Sequence, residues 1–151
     1  MIYGANGYTG GLAARFAKDR NLNPVLAGRH ADSIRVLAGA LGFESRIFDL
    51  SDAAQVAANL EGVAVVLHCA GPFSATSNPM LGGCLRAGTH YLDITGEIAV
   101  FENIHSRNEE IRDAGIVAIP GVGFDVVPTD CLAAMLKREL PTETHLKLAF
   151  K

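Results

Sequence analysis

Short apolar runs alternate with amphipathic stretches along nearly the whole chain. The runs at Met1–Tyr3, Pro24–Ala27, Ser45–Phe48, Ala64–Cys69, Tyr91–Ile94 and Ile116–Ile119 have the length and composition of strands. Between them, helical patterning covers Gly10–Arg20, Asp32–Leu41, Asp52–Leu60, Pro79–Ala87, Ile98–Ala114 and Pro128–Leu140. Strand followed by helix, repeated six times, predicts an α/β fold with a doubly wound parallel sheet covered on both faces. Val63–Leu67 is apolar without alternation, as a strand buried on both faces should be. Gly62, Gly88 and Gly115 each follow a helical stretch, where a left-handed C-cap fits. Ser51 before Asp52 and Asn78 before Pro79 read as helix starts.

The last segment breaks this rhythm. Leu146, Leu148 and Phe150 alternate with Lys147 and Lys151, which predicts a strand with one wet face over Thr144–Lys151. Such a strand needs neighbours. The expectation is therefore that 1–143 forms one domain and that 144–151 opens a truncated substrate or dimerisation domain. A few residues are also expected ahead of Met1, because Met1–Tyr3 is short for a central strand.

Composition narrows the class. With 49% hydrophobic and 19% charged residues, the chain has enough apolar surface to fold around a core and is not a disordered segment. A net charge of −3 gives no general basic footprint, so nucleic acid is not an expected partner. The chain has no charged leader before an apolar core and no unbroken apolar span of about 18 residues. Cys69, Cys84 and Cys131 are widely spaced, which suits a reducing compartment better than a disulfide framework. Together these features predict a soluble, cytoplasmic protein with a small-molecule substrate and no membrane partner. His90, His105 and His145 have no second ligand at metal-binding spacing, and no metal site is expected.

The chemistry is concentrated in turns that follow the strands. Gly4-Ala5-Asn6-Gly7-Tyr8-Thr9-Gly10 stands between the first strand and the first helix. Glycines here let backbone N–H groups and a helix N-terminus approach a pyrophosphate. About 20 residues further on, such a site presents a group to the adenosine ribose. Arg29 lies 19 residues after Gly10, with Gly28 leaving room beside it. An acidic residue would hold the 2′-hydroxyl of NAD, whereas arginine suits the 2′-phosphate of NADP. NADP(H) is thus the preferred cofactor, with NAD(H) open as an alternative. Asp49 is placed either to bond the adenine amine or to cap the following helix. After the fourth strand, the small residues Ala70 and Gly71 permit close approach and Pro72 stiffens the loop ahead of Phe73.

Catalytic candidates are fewer. Asp93 and Glu97 reach the carboxyl edge of the fifth strand, where one is a candidate acid or base. Capping or structural hydrogen bonding by Thr95 and Glu97 is the favoured reading. Cys69 is a weaker candidate nucleophile, with only His68 beside it as an activating feature. Asp125 or Thr129 is placed to cap the last helix.

The motifs G-A-N-G-Y-T-G at Gly4–Gly10, A-G-R at Ala27–Arg29, H-C-A-G-P-F at His68–Phe73, G-T-H-Y-L-D-I-T-G-E at Gly88–Glu97 and P-G-V-G-F-D at Pro120–Asp125 together resemble the NADP-binding N-terminal domain of saccharopine dehydrogenase-like oxidoreductases. The resemblance implies a Rossmann domain followed by a mixed α/β substrate domain, with NAD(P)-linked redox chemistry. It also implies that Gly4, Asn6, Gly7, Tyr8, Thr9, Gly10, Arg29, Gly71, Pro72 and Phe73 line the cofactor. A homodimer through the absent domain stays open, and the isolated domain is expected to be inactive without it.

Two other functions share the glycine spacing or the fold. Short-chain dehydrogenases need a Tyr-x-x-x-Lys pair. Tyr3, Tyr8 and Tyr91 are instead followed four positions later by Gly7, Leu12 and Thr95, which argues against that class. A non-catalytic NADP-binding sensor is the remaining alternative.

Overall fold

The computed structural model describes residues 1–124 and 126–147. Six parallel strands form one sheet in the order β3-β2-β1-β4-β5-β6. The central strand β1 (Ile2–Tyr3) pairs Ile2 with Leu26 of β2 (Leu26–Gly28) and Tyr3 with His68 of β4 (Val65–His68). Beyond β2 lies β3 (Ser45–Ile47); beyond β4 lie β5 (His90–Asp93) and β6 (Ala118–Ile119). The chain thus builds outward from β1 on one side, then crosses over and builds outward on the other. The reversal leaves a crevice between the carboxyl ends of β1 and β4, where open α/β sheets bind ligands.

Successive residues of β1 face opposite layers. Ile2 joins Leu26 and Ile34 beneath α1 (Tyr8–Asp19) and α2 (Ala31–Leu41). Tyr3 joins Phe48, Val66 and Tyr91 beneath α3 (Ala53–Leu60), α4 (Phe73–Ala87), α5 (Ile98–Ser106) and α6 (Asn108–Asp113). Helix α7 (Val127–Glu139) buries none of its side chains. Gly62, Gly88 and Gly115 adopt the positive φ expected after their helices.

Several boundaries differ from the sequence expectation. Helix α4 begins at Phe73, not Pro79, which falls inside it. The cause is a tertiary cap: Glu97 accepts hydrogen bonds from the N–H groups of Phe73 and Ser74, at 2.7 and 2.9 Å. An interior proline costs about 3 kcal/mol. That cap, together with full burial of Met80 and Leu81 at about 2 kcal/mol each, outweighs it. Asn78 is accordingly no cap, and binds Asn103 and Arg107 instead.

The long helix expected over 98–114 breaks at Arg107, whose guanidinium is drawn to Glu110 and Asn78. Asp52, not Ser51, caps α3, accepting from Ala54 N at 2.8 Å. Thr144–Lys147 form no strand, and no described strand runs beside them; Leu148–Lys151 lie outside the described residues, as does Asp125. Thr129 sits in the first turn of α7 and donates to the Val126 carbonyl. No helix among the described residues is long and apolar enough to cross a membrane.

Candidate dinucleotide site

The turn after β1 is a backbone cradle. Gly4 has φ +79°, a left-handed conformation that side chains disfavour, and donates to the Ala27 carbonyl at 2.8 Å. Gly7 N–H closes the turn on Gly4 O at 3.0 Å. The first helical bond of α1 runs from Gly11 N to Gly7 O, so the N–H groups of Tyr8, Thr9 and Gly10 precede it and point out of the helix start. No side chain caps this end and no acidic residue lies in its first turn. An adjoining cleft of about 350 Å³ is lined by Asn6, Gly7, Tyr8, Arg15 and Ser33 among others. A pyrophosphate fits these features, since it needs free N–H donors, the positive end of a helix dipole and no side chain in between.

Two of the other predicted residues, Gly28 and Ala70, abut this turn from opposite sides. Gly28 ends β2 beside Asn6: a Cβ built on it would lie 3.4 Å from Asn6 Oδ1 and 3.1 Å from Ile34 Cδ1. Arg29 follows, exposed, with Nε donating to His30 Nε2 at 3.2 Å. On the opposite side, Ala70 abuts Gly4: a Cβ built on Gly4 would lie 2.9 Å from Ala70 Cβ. Gly71 and Pro72 are exposed and joined by a cis peptide. The Phe73 ring turns inward, edge-on to His68 at 5.3 Å between centroids.

Asp49 has a local task. Its Oδ1 accepts from the N–H and hydroxyl of Ser51, which holds its carboxyl below the usual range, with the nearby Arg29 charge adding to the effect. It does not cap α3.

The catalytic candidates are largely committed elsewhere. Buried Asp93 accepts from Tyr91 Oη at 2.6 Å, Thr95 N at 3.0 Å and Gly121 N at 2.8 Å. It ties β5 to the turn after β6. Both Glu97 oxygens serve the start of α4, and the Phe73 N–H holds its carboxyl below the usual carboxylate range. Burial, with the Asp93 charge, pushes the Cys69 thiol up to about 12, so almost no thiolate exists at neutral pH. Cys69 therefore lacks the activation a nucleophile requires. Among the described residues, no three His, Cys, Asp or Glu side chains gather as metal ligands.

Sequence reasoning overlooked His68 as a structural group. It is fully buried, and its Nε2 lies 3.0 Å from Thr76 Oγ1. Burial lowers its pKa from 6.5 to about 4. The unfolded chain takes up a proton near pH 6.5 that the folded protein refuses until about pH 4. Stability from this group is therefore complete above pH 6.5 and is lost as pH falls towards 4, by about 3 kcal/mol. Urea unfolding at pH 7 and pH 4.5 should show a smaller acid loss in His68→Gln than in the wild type; equal losses would refute this assignment.

Comparison with known proteins agrees with the geometry. Residues 1–119 match the family model described as the saccharopine dehydrogenase NADP binding domain. A trans-acting enoyl reductase of Mycobacterium ulcerans is 33% identical over 139 residues, covering 86% of this chain and 33% of the relative. Its counterpart in Mycobacterium leprae is 32% identical over 149 residues, covering 93% and 35%. The chain thus spans about a third of the length of these relatives. Apo saccharopine dehydrogenase (L-Glu forming) of Saccharomyces cerevisiae superposes with TM-score 0.74 at 19% identity, over 93% of this chain and 30% of that one. Triphenylmethane reductase of Citrobacter sp., solved with NADP(H), superposes at 0.59 with 18% identity, over 76% and 45%. At these identities the two structures speak for the fold.

Proposed function

Because the chain belongs to the saccharopine dehydrogenase family through its NADP-binding domain, we propose that it is the cofactor-holding part of an NADP(H)-dependent oxidoreductase. One contrast carries this reading. Among the helices that start at the carboxyl edge of the sheet, α4 is closed by the Glu97 carboxylate and α3 by Asp52, whereas α1 follows a glycine turn and has neither a side-chain cap nor an acidic residue in its first turn. The protein's own anion occupies the positive end of α4, while the α1 end, with glycine in front of it, is left for a ligand's phosphates.

In this reading, the N–H groups of Tyr8, Thr9 and Gly10 hold the pyrophosphate, and Gly4, Asn6 and Gly7 shape its cradle. Arg29 faces the 2′-phosphate, Gly28 leaves no free space there because it packs closely against Asn6 and Ile34, and Asp49 orders the neighbouring turn. Ala70, Gly71 and Pro72 form the wall nearer the nicotinamide, and Phe73, expected there too, instead backs it with its ring against His68. When bound, NADPH supplies the hydride. This domain's residues orient the cofactor and exclude water, which is a large share of what such a reaction needs. Asp93 and Glu97 keep the site's frame in shape and transfer no proton. Substrate contacts come from protein outside this chain, and the substrate is a small molecule with a reducible carbonyl, imine or enoyl group.

Incubating the intact protein with NADPH deuterated on one or the other nicotinamide face, against a panel of such substrates, tests the proposal. Label should reach product from one face only. Tight NADPH binding with no transfer across the panel would instead establish a non-catalytic sensor.

A further inference from the structure

His68 ends β4 just ahead of the loop that abuts the glycine turn. It is 0% exposed, and its Nδ1 is the sole buried side-chain polar atom without a hydrogen-bond partner among the described residues. Its ring lies between Tyr3, Phe73 and Tyr91, with centroids 5.6, 5.3 and 6.2 Å away. Nothing in that aromatic setting rewards burying a histidine, so its polar contact on the other nitrogen becomes informative.

That contact is Thr76 Oγ1, 3.0 Å from Nε2. The same hydroxyl lies 2.7 Å from the Ala70 carbonyl and 3.0 Å from the Pro72 carbonyl. Carbonyls only accept, and a hydroxyl has one proton, so Thr76 gives that proton to the loop. Its oxygen must then accept from His68, which places the imidazole proton on Nε2 and leaves Nδ1 bare. The other tautomer would set two lone pairs against each other and bury an unpaired N–H, a worse outcome on both counts.

We propose that His68 is a positioning residue for the cofactor: its Nε2–H, acting through Thr76, holds the Ala70–Phe73 loop against Gly4 of the glycine turn. The inference rests on the placement of NADP(H) argued above. The loop has little slack, because Ala70 already sits where a side chain on Gly4 would have to go. Glu97 pins its far end through Phe73 and Ser74. Between those fixed points, the Ala70 and Pro72 carbonyls are oriented by Thr76, and the direction of the Thr76 proton is set by His68.

The test compares Thr76→Val, Thr76→Ser and His68→Phe in the intact protein. Thr76→Val keeps the volume and removes the hydroxyl; it should weaken NADPH and NADH alike by about tenfold, because the latch does not touch the 2′-phosphate. Thr76→Ser, which keeps the hydroxyl, should stay within about twofold of the wild type. The double variant His68→Phe/Thr76→Val should bind no worse than the weaker single variant, since both break one linkage. Nitrogen NMR of isotope-labelled histidine should report a proton on Nε2. Folded Thr76→Val binding NADPH as the wild type does, or a proton on Nδ1, would overturn the positioning role. If that happens while Arg29→Ala still loses NADPH selectively, the site reading stands and the latch alone falls. If the wild-type protein binds no NADPH, both fall together.

Discussion

Gly10→Ala should reduce NADPH affinity at least about a hundredfold and destabilise the fold by about 3 kcal/mol. A Cβ at this position would lie 2.3 Å from Gly4 O, 2.8 Å from Ala5 Cα and 2.9 Å from Gly4 C. All three are backbone atoms, so no side chain can swing aside. The Gly4 amide is fixed to Ala27 at 2.8 Å, and the Gly4 carbonyl receives Gly7 N–H at 3.0 Å. Relief therefore requires α1 to move away from β1, which misaims the N–H groups of Tyr8 and Thr9. Gly39→Ala and Gly82→Ala are the controls. Both lie within helices, a Cβ at either meets nothing within 4 Å, and alanine is the better helix former. They should leave binding unchanged and be neutral or slightly stabilising. Fluorescence titration with NADPH and thermal melts read both effects; a Gly10→Ala protein that binds and melts like the wild type would refute the close-packed turn.

Arg29→Ala should weaken NADPH by about tenfold to a hundredfold and leave NADH within about twofold. A guanidinium on a phosphate makes charge-assisted, often bidentate hydrogen bonds of about 1.5–3 kcal/mol. NADH has no phosphate there to lose. Arg29 is exposed and bonds to the side chain of exposed His30, so its removal should not disturb the fold. Arg29→Lys should recover part of the loss through charge, without the fork geometry. Titrating each variant with both cofactors measures the ratio directly. Equal losses for the two cofactors would remove Arg29 from the 2′-phosphate position.

Much of the architecture was legible from local pattern. Each strand and helix reports itself within a window of several residues, because burial on one or both faces imposes a period on neighbouring side chains. The errors fell where distant groups intervene. Phe73 starts α4 because Glu97, 24 residues away, caps it, and no window around Pro79 contains that information. The helix that starts at Ile98 breaks at Arg107, whose guanidinium is held both by Glu110, three residues on, and by Asn78, 29 residues earlier.

The same division runs through the site. Cofactor class was readable locally: a glycine turn between strand and helix is chemistry whose meaning survives without coordinates, and the match to an NADP-binding domain agrees with it. Which polar groups remain available depended on contacts between residues far apart in the chain. Asp93 read as a candidate acid or base until Gly121, 28 residues on, was found bonded to its carboxylate. For Glu97 the favoured reading was already a cap; what the fold added is that the helix it caps is α4, which starts 24 residues earlier. His68 drew notice only as a neighbour of Cys69, yet it controls the hydroxyl that steers the loop beside the glycine turn. The physical reason is common to all three. Backbone periodicity is written in adjacent residues, whereas a side chain's hydrogen bonds are settled by whichever groups the fold brings within about 3 Å.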